Sequence, residues 1–389
     1  FVSGGKAEDL MSANAAGSLA KQLVGVLLLG LSIFLLLKVN KKLLYSMLKA
    51  SYWWAIIIGF FALSIYWSYE PSISFRRLIA FITLIVVSFC LVCTFEPKSL
   101  LYFLAKTIFV AAILGLMLMV IAPNMALQGS GDRANMFVGI MGDKNGGARL
   151  YAYAILILAG LGRYQTRQDK FKLFILSVCL VFANSATAIV MVVAGLGLIL
   201  LFKVLHTRSA NMNLRRFFLI TVLLMLASMA AYFLYAFLLE LLGRDPTLTN
   251  RTVIWELLSE SIDKKPWLGY GFGAFWSSDA VSGFVERWGF IGNAHSGYYE
   301  TLLNGGIIGL VLMVLLSLKI IKDLVQGYIT QKSGELSAAL IAIILLQLIV
   351  NAVGYIILNH NSADMVIYTV VSFMASFMLL QSKLSNTKF

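Results

Sequence analysis

The sequence predicts an all-α fold, a polytopic bundle of transmembrane helices, and three observations lead to this prediction. Hydrophobic residues make up 60% of the 389 positions and charged residues only 13%, against about 25% charged residues in typical soluble domains. The mean hydropathy is +0.87. Several apolar runs reach the roughly 20 residues that a helix needs to cross the hydrocarbon core of a bilayer.

We predict about 11–12 spans from these apolar runs. Those with readable boundaries lie at about 21–37, 51–68, 78–95, 100–122, 148–162, 171–184, 187–205, 217–242, 297–318, 336–358 and 364–382. No separate soluble domain and no internal repeat stands out. We therefore expect residues 1–389 to form a single membrane domain.

The net charge of +13 is distributed in a way that indicates topology. Most of the 31 lysines and arginines collect on alternate sides of the predicted spans, and the positive-inside rule assigns that face to the cytoplasm. These clusters lie at 38–49, 98–106, 163–172, 203–216, 319–332 and 383–388. The basic excess is therefore no argument for a nucleic-acid partner. With this topology the first span runs from outside to inside, so we expect a further segment before Phe1.

The opposite, extracytoplasmic face holds the long non-apolar loops 70–77, 123–149 and 243–295, and their basic residues are candidate ligands for an anion. Arg149 begins an apolar span, where an arginine costs roughly 2.5–3.5 kcal/mol unless it snorkels or finds a partner. The planar guanidinium suits phosphate oxygens, and helix starts add backbone donors. For each arginine taken singly, a snorkelling anchor is the alternative interpretation.

The loop 243–296 is predicted to contain short amphipathic helices. Thr249 or Asn250 can cap a helix that begins at Arg251, repeats apolar residues at spacings of three and four, and is stopped by Pro266. The segment 266–276 then mixes glycines with aromatic residues and ends at Trp276. It fits two interpretations, a turn with interfacial aromatics or a floor on which sugar rings stack.

His295 stands where this polar loop runs into an apolar helix. Imidazole has an unperturbed pKa near neutrality and is the usual general base, so His295 is the leading candidate for proton transfer on an anionic, lipid-linked substrate. The alternative is a helix-start histidine bonded to a backbone carbonyl. His360 lies on the same predicted face as a second-rank site residue, whereas His206 lies among cytoplasmic basic residues.

The segments 243–255, 266–276 and 293–309 resemble the O-antigen ligase/polymerase superfamily, and 67–77 and 139–147 are similar to its weaker markers. Their order and spacing look most like the exopolysaccharide/O-antigen polymerase branch, with O-antigen ligases close behind. Two positions depart from that branch. Asp143 stands where it often has histidine, and Ala186 stands where it often has a basic residue.

The resemblance implies a GT-C-like, inverting, metal-independent glycosyltransferase in the bacterial inner membrane, with its active site facing the periplasm and no cofactor. Its donor would be a glycan on undecaprenyl diphosphate, and its acceptor another lipid-linked glycan or the lipid A core. The implied catalytic residues are His295, Arg251 and Arg149. The implied substrate-binding residues are Arg76, Arg77, Lys144, Asn145, Arg244, Tyr298, Trp276 and His360.

Two other classes remain as alternatives. A transporter or flippase could line a path for an anionic lipid with these arginines, although such proteins tend to contain internal repeats. A structural membrane scaffold gives no reason for Arg149 at a helix start. The acidic residues in the loops show no pair with obvious metal-ligand spacing, which agrees with the implied metal independence.

Overall fold

The computed structural model describes residues 18–128, 135–207, 251–330 and 335–386. Within these ranges the regular structure is helical, apart from one isolated β-bridge between Leu127 and Phe137. The predicted all-α, multi-pass membrane fold is confirmed. In chain order the helices are α1 (Leu19–Lys38), α2 (Lys41–Ala50), α3 (Tyr52–Leu63), α4 (Pro71–Thr94), α5 (Pro97–Ile121), α6 (Pro123–Ala126), α7 (Lys144–Gly160), α8 (Arg167–Phe182), α9 (Ala186–Thr207), α10 (Arg251–Lys264), α11 (Ser282–Trp288), α12 (Gly297–Thr330), α13 (Glu335–Val350) and α14 (Ala363–Asn386).

Six of the described helices are long and apolar enough to cross a membrane. The bent pair formed by Lys41–Ala50 and Tyr52–Trp67 would be a seventh span if it crosses as one unit. The six are α1, α4, α5, α9, α12 and α14. The predicted spans at 148–162, 171–184 and 336–358 are also helical, but α7, α8 and α13 contain only 17, 16 and 16 residues. The predicted span at 217–242 lies outside the described residues.

The membrane region divides into two compact units. The first contains the described residues within 1–94, 247–323 and 347–381, and the second contains those within 95–246, 324–346 and 382–389. His295 and Arg251 belong to the first unit, and Arg149 belongs to the second.

The first unit has an aromatic core in which α3, α4 and the loop before α12 meet. Phe272 from that loop packs against Phe61 of α3 and Phe81 of α4, with ring centroids 4.5 Å and 5.2 Å away. All three rings are fully or almost fully buried. Aromatic rings at such distances pack favourably and leave little freedom to move. The core therefore fixes the polar loop onto the membrane helices.

Within this unit α12 is broken at Gly306, whose φ of 59° and ψ of −160° are not helical. The break frees backbone N–H groups, and the segment 266–270 satisfies them, since Ile307 N–H donates to the Pro266 carbonyl at 2.7 Å. A Cβ atom on Gly306 would overlap the backbone of Trp267. Non-helical backbone at membrane depth is tolerated where protein groups satisfy it. The break thus fastens the loop before α12 to α12 itself.

The second unit is organised around α7, in which residues 150–158 are all buried. Helices α5, α8 and α9 pack against it. Gly195 lets α9 approach closely, because a Cβ there would lie 2.6 Å from Leu156 Cδ2. An apolar helix buried on all sides is typical of the centre of a bundle. The polar and charged residues of α7 are accordingly confined to its first turns.

Candidate active site

His295 lies in a strained turn immediately before α12. Its φ of 49° is in the left-handed region, which non-glycine residues adopt uncommonly and at an energetic cost. The turn is held locally, because His295 N–H donates to Asn293 Oδ1 at 2.9 Å. His295 itself is partly buried. A left-handed residue retained at a predicted catalytic position is typical of a functional constraint.

The first turn of α12 is capped by a distant loop, residues 351–362, which we call the capping loop. Gly297 N–H, two residues after His295, donates to the carbonyls of Asn351 at 2.7 Å and Gly354 at 3.0 Å. Gly297 packs so closely on Asn351 that any Cβ would overlap the Asn351 side chain. Backbone groups of a helix start are thus satisfied by tertiary contacts.

The capping loop is folded around the Asn351 side chain. Asn351 Oδ1 accepts from the N–H groups of Ile356 and Ile357 at 3.4 Å and 3.0 Å. Asn351 is fully buried, and its Nδ2 has no hydrogen-bond partner. The loop replaces the last part of the span that the sequence predicts at 336–358. That predicted boundary is wrong, because α13 ends at Val350 and the chain turns at Asn351.

Arg251 is anchored on the same loop as Gly297, two residues after His295. Its Nη1 donates to the Val353 carbonyl at 2.7 Å, between the two carbonyls that cap α12. A second link runs through Trp255, whose Nε1 donates to the Ala294 carbonyl at 3.0 Å, and whose ring stacks on Tyr299 at 5.5 Å. The predicted base and the predicted clamp are therefore brought to one loop.

Arg77 and His360 lie around the glycine-aromatic segment. The Arg77 guanidinium donates to the Gly273 carbonyl and, at 3.2 Å, to Ser277 Oγ. The ring of His360 meets Phe272 edge-on at 6.2 Å, and its buried Nδ1 has no partner. Burial lowers the pKa of His360 to about 3, and the positive charges of Arg77 and Arg76 act in the same direction. His360 is therefore a neutral hydrogen-bonding group.

The structure places Trp276 in the core. It is 1% exposed, and it packs edge-on against Phe275 and Phe284. Both faces of the ring are covered by protein, and the assignment of Trp276 as a substrate-binding residue stays a prediction. Trp267 is the aromatic residue of this segment that stays exposed, at 64%.

Tyr298 is anchored to the end of α13. Its hydroxyl donates to the Leu348 carbonyl at 2.7 Å, so this group holds the first turn of α12 in place. Among the predicted site residues, Arg244 lies outside the described residues. Arg76 is partly buried at the start of α4.

Glu300 is a site residue that the sequence analysis missed. It is 3% exposed, and its carboxylate accepts from Trp276 Nε1 at 3.1 Å and 3.0 Å and from Ala294 N–H at 2.9 Å. The available signal was an acidic residue in the first turn of a helix that is otherwise strongly apolar.

In the second unit, the start of α7 carries the other predicted site residues. Asp143 caps the helix by accepting from the N–H groups of Asn145 at 3.4 Å and Gly146 at 2.6 Å. Asn145 Oδ1 accepts from Ser185 Oγ at 3.1 Å, which joins the start of α7 to the residue directly before α9. Lys144 is 2% exposed, with Nζ 2.7 Å from Met136 Sδ. Arg149 is partly buried one turn later.

The first unit thus combines an imidazole, a guanidinium and a neutral histidine around one end of its helices. Such an arrangement can bind an anionic leaving group through the guanidinium and accept a proton through the imidazole. Among the described residues, no group of three or more His, Cys, Asp or Glu side chains is arranged to hold a metal ion.

Comparison with known proteins finds two sequence similarities for this chain. Residues 171–314, which include Arg251, His295 and Glu300, match the family described as O-antigen ligase. The chain is also 26% identical over 289 residues to the exopolysaccharide production protein ExoQ of Rhizobium meliloti (strain 1021). That alignment covers 68% of this chain and 63% of the relative, so the chain spans less than two thirds of that protein's length.

Proposed function

We infer that the chain belongs to the O-antigen ligase/polymerase superfamily, and we propose that it is an inverting, metal-independent membrane glycosyltransferase. It transfers a glycan from undecaprenyl diphosphate to a lipid-linked acceptor. The reaction takes place on the periplasmic face of the inner membrane. The observation that carries this proposal is the joint anchoring on the capping loop of Arg251 and of Gly297, which lies two residues after His295.

In the proposed reaction His295 is the general base. The acceptor oxygen attacks the anomeric carbon from the side opposite the diphosphate, so a new C–O bond forms as the bond to the leaving phosphate oxygen breaks. The acceptor proton passes to the imidazole, and undecaprenyl diphosphate leaves with the bonding electrons. A positioned base of this kind contributes about 10²–10⁴-fold to the rate.

Arg251 binds the diphosphate in this proposal. A guanidinium offers several donors in one plane and matches phosphate oxygens in pairs. Fixed positive charge at the leaving group stabilises the transition state without a metal ion. Arg149 is a second candidate for contact with the donor, and Arg76, Arg77, Lys144 and Arg244 are further ones, each tested by its own variant.

The acceptor distinguishes two versions of the proposal. The similarity to an exopolysaccharide production protein favours a polymerase, whose acceptor is another lipid-linked glycan. The family description favours an O-antigen ligase, whose acceptor is the lipid A core. Purified protein with donor alone forms a ladder of lengthening glycans if it is a polymerase. Product that appears only when lipid A core is added identifies a ligase.

The chemistry is tested with His295→Ala and Arg251→Ala. We expect His295→Ala to lose glycan transfer by about 100-fold or more while it still binds the donor. Arg251→Ala should instead weaken binding of undecaprenyl diphosphate. Normal transfer by folded His295→Ala contradicts the proposed role of the base, and unchanged affinity in Arg251→Ala contradicts the role of the clamp.

A further inference from the structure

Glu300 is a buried carboxylate within an apolar helix. Burial of an ionised carboxylate is costly unless hydrogen bonds and opposite charge compensate for it. Here both oxygens accept, one from Trp276 alone and the other from Trp276 and Ala294. The guanidinium of Arg77 also interacts electrostatically with Glu300. A side chain retained at such a cost invites a functional explanation.

One of the two groups that Glu300 holds, the N–H of Ala294, lies directly before His295. Its contact with Ala294 N–H fixes the peptide on the amino side of Ala294. The Ala294 carbonyl belongs to the next peptide and is fixed by Trp255 Nε1, and that same peptide is held through His295 N–H by Asn293. Successive peptide planes therefore lose their rotational freedom up to the Cα atom of His295.

The left-handed backbone of His295 depends on this arrangement. A residue in a sparsely populated conformation persists only where its surroundings over-determine it. On the far side of His295 the chain is held by Gly297 on the capping loop, and on the near side by Glu300. If the near side were released, the backbone could relax and carry the imidazole away.

We propose that Glu300 is a positioning residue for His295, acting through the Ala294 peptide and Trp276 to aim the imidazole at the acceptor hydroxyl. This inference rests on the proposed function, in which His295 is the base. It adds a residue that does not itself touch substrate.

The carboxylate is the group that suits this position. It offers acceptors on both oxygens, which match the indole and peptide N–H donors around it. Glutamine would turn an NH₂ donor towards the indole or the peptide N–H, which are donors themselves. Aspartate keeps the charge and both acceptors but is one methylene shorter, so it restores part of the arrangement.

The experiment compares Glu300→Gln, Glu300→Asp and His295→Ala in glycan transfer by the full-length protein, with undecaprenyl diphosphate binding and thermal unfolding measured in parallel. A displacement of about 1 Å can cost about 100-fold in rate. We expect Glu300→Gln to lower kcat by that order while the Kd for undecaprenyl diphosphate stays unchanged. Glu300→Asp should recover part of the loss.

A matched pair of tryptophan variants keeps the test decisive if Glu300→Gln does not fold. Trp276→Phe removes the indole donor to Glu300, and Trp54→Phe removes an equivalent buried donor, to Ser372 Oγ at 3.0 Å, far from His295 along the chain. Both tryptophans are at most 3% exposed. We expect Trp276→Phe to lower kcat more than Trp54→Phe at equal unfolding temperature.

The outcomes separate the two proposals. If His295→Ala is inactive but Glu300→Gln keeps its kcat, the role of Glu300 is overturned and the proposed function stands. The same conclusion follows if Trp276→Phe has the same kcat as Trp54→Phe. If His295→Ala retains transfer, the proposed function fails first. A fall in unfolding temperature with unchanged kcat would make Glu300 a structural residue only.

Discussion

The starts of α7 and α12 both carry residues expected to handle substrate, yet they are capped in opposite ways. Helix α7 is capped by Asp143, which immediately precedes it. Helix α12 is capped by carbonyls of the capping loop, which follows much later in the chain. Removing a local cap destabilises mainly its own helix. Removing a tertiary cap also disturbs the other residues that are bonded to the same loop. For α12 that includes Arg251.

The largest effect should come from breaking the tertiary cap with Gly297→Ala. The added Cβ overlaps Asn351, and over-packing of this kind costs about 3 kcal/mol. We expect a lower unfolding temperature in detergent and loss of both glycan transfer and donor binding. Gly283→Ala is the matched control, because a Cβ there meets no atom within 4 Å. The free energy of unfolding of the control should be unchanged or higher by about 0.5–1 kcal/mol. The tertiary cap would be contradicted if Gly297→Ala had the same unfolding temperature and glycan transfer as Gly283→Ala.

The next effect should come from Asn351→Leu, which removes the side-chain acceptor inside the capping loop. Two buried N–H groups lose their partner, at about 1 kcal/mol for each unsatisfied group. We expect transfer and donor affinity to fall together, since His295 and Arg251 share the loop. Thr369→Val controls for the loss of a buried hydrogen bond, to Ser88 Oγ at 2.7 Å. A variant that loses transfer but keeps full donor affinity would show that the two residues are held separately.

A smaller effect is expected at the local cap. Asp143→Ala should lower the free energy of unfolding by about 1 kcal/mol, because two N–H groups of α7 lose their acceptor. Asp143→Asn keeps a capping oxygen and should remain close to the wild type. Denaturant or thermal unfolding measures the difference. If both variants lose equal stability, the negative charge and not the cap is what Asp143 contributes.

The smallest effect at neutral pH should be that of His360, at the end of the capping loop. The folded-state pKa of His360, about 3, lies below the ordinary value of 6.5. Below about pH 6.5 the imidazole therefore binds a proton in the unfolded chain but not in the folded protein. Stability is therefore lost as the pH falls, by at most about 1.4 kcal/mol per pH unit. In His360→Gln this contribution should disappear from the slope of unfolding free energy against pH, measured between pH 7 and pH 5. An unchanged slope would mean that His360 titrates alike in both states.

The sequence allowed the fold class and the outline of the site to be predicted, because hydropathy and helix signals are local. Helix α10 begins at Arg251 and ends at Lys264, before the predicted stop at Pro266. The boundary at Val350 could not be predicted, since residues 352–358 are apolar enough to continue a span. Only tertiary contacts to Gly297 and Arg251 make Asn351 the turning point.

The roles of individual side chains were harder to predict for the same reason. Trp276 and Trp267 occupy the same glycine-aromatic segment, and nothing local distinguishes the buried ring from the exposed one. Glu300 was missed because its partners Trp276 and Ala294 are brought to it by the fold. Asp143 shows the opposite case, in which a departure from the family pattern is explained by its two nearest helical N–H groups.

The capping loop also sets the order in which this protein can become complete during synthesis. Arg251, His295 and the whole of α12 leave the ribosome before residues 351–354 exist. Until those residues follow, Gly297 and the Arg251 guanidinium lack the carbonyls that orient them. A chain interrupted before residue 351 would carry the candidate base and clamp without their common anchor. The candidate arrangement is therefore complete only in chains that extend through residue 354.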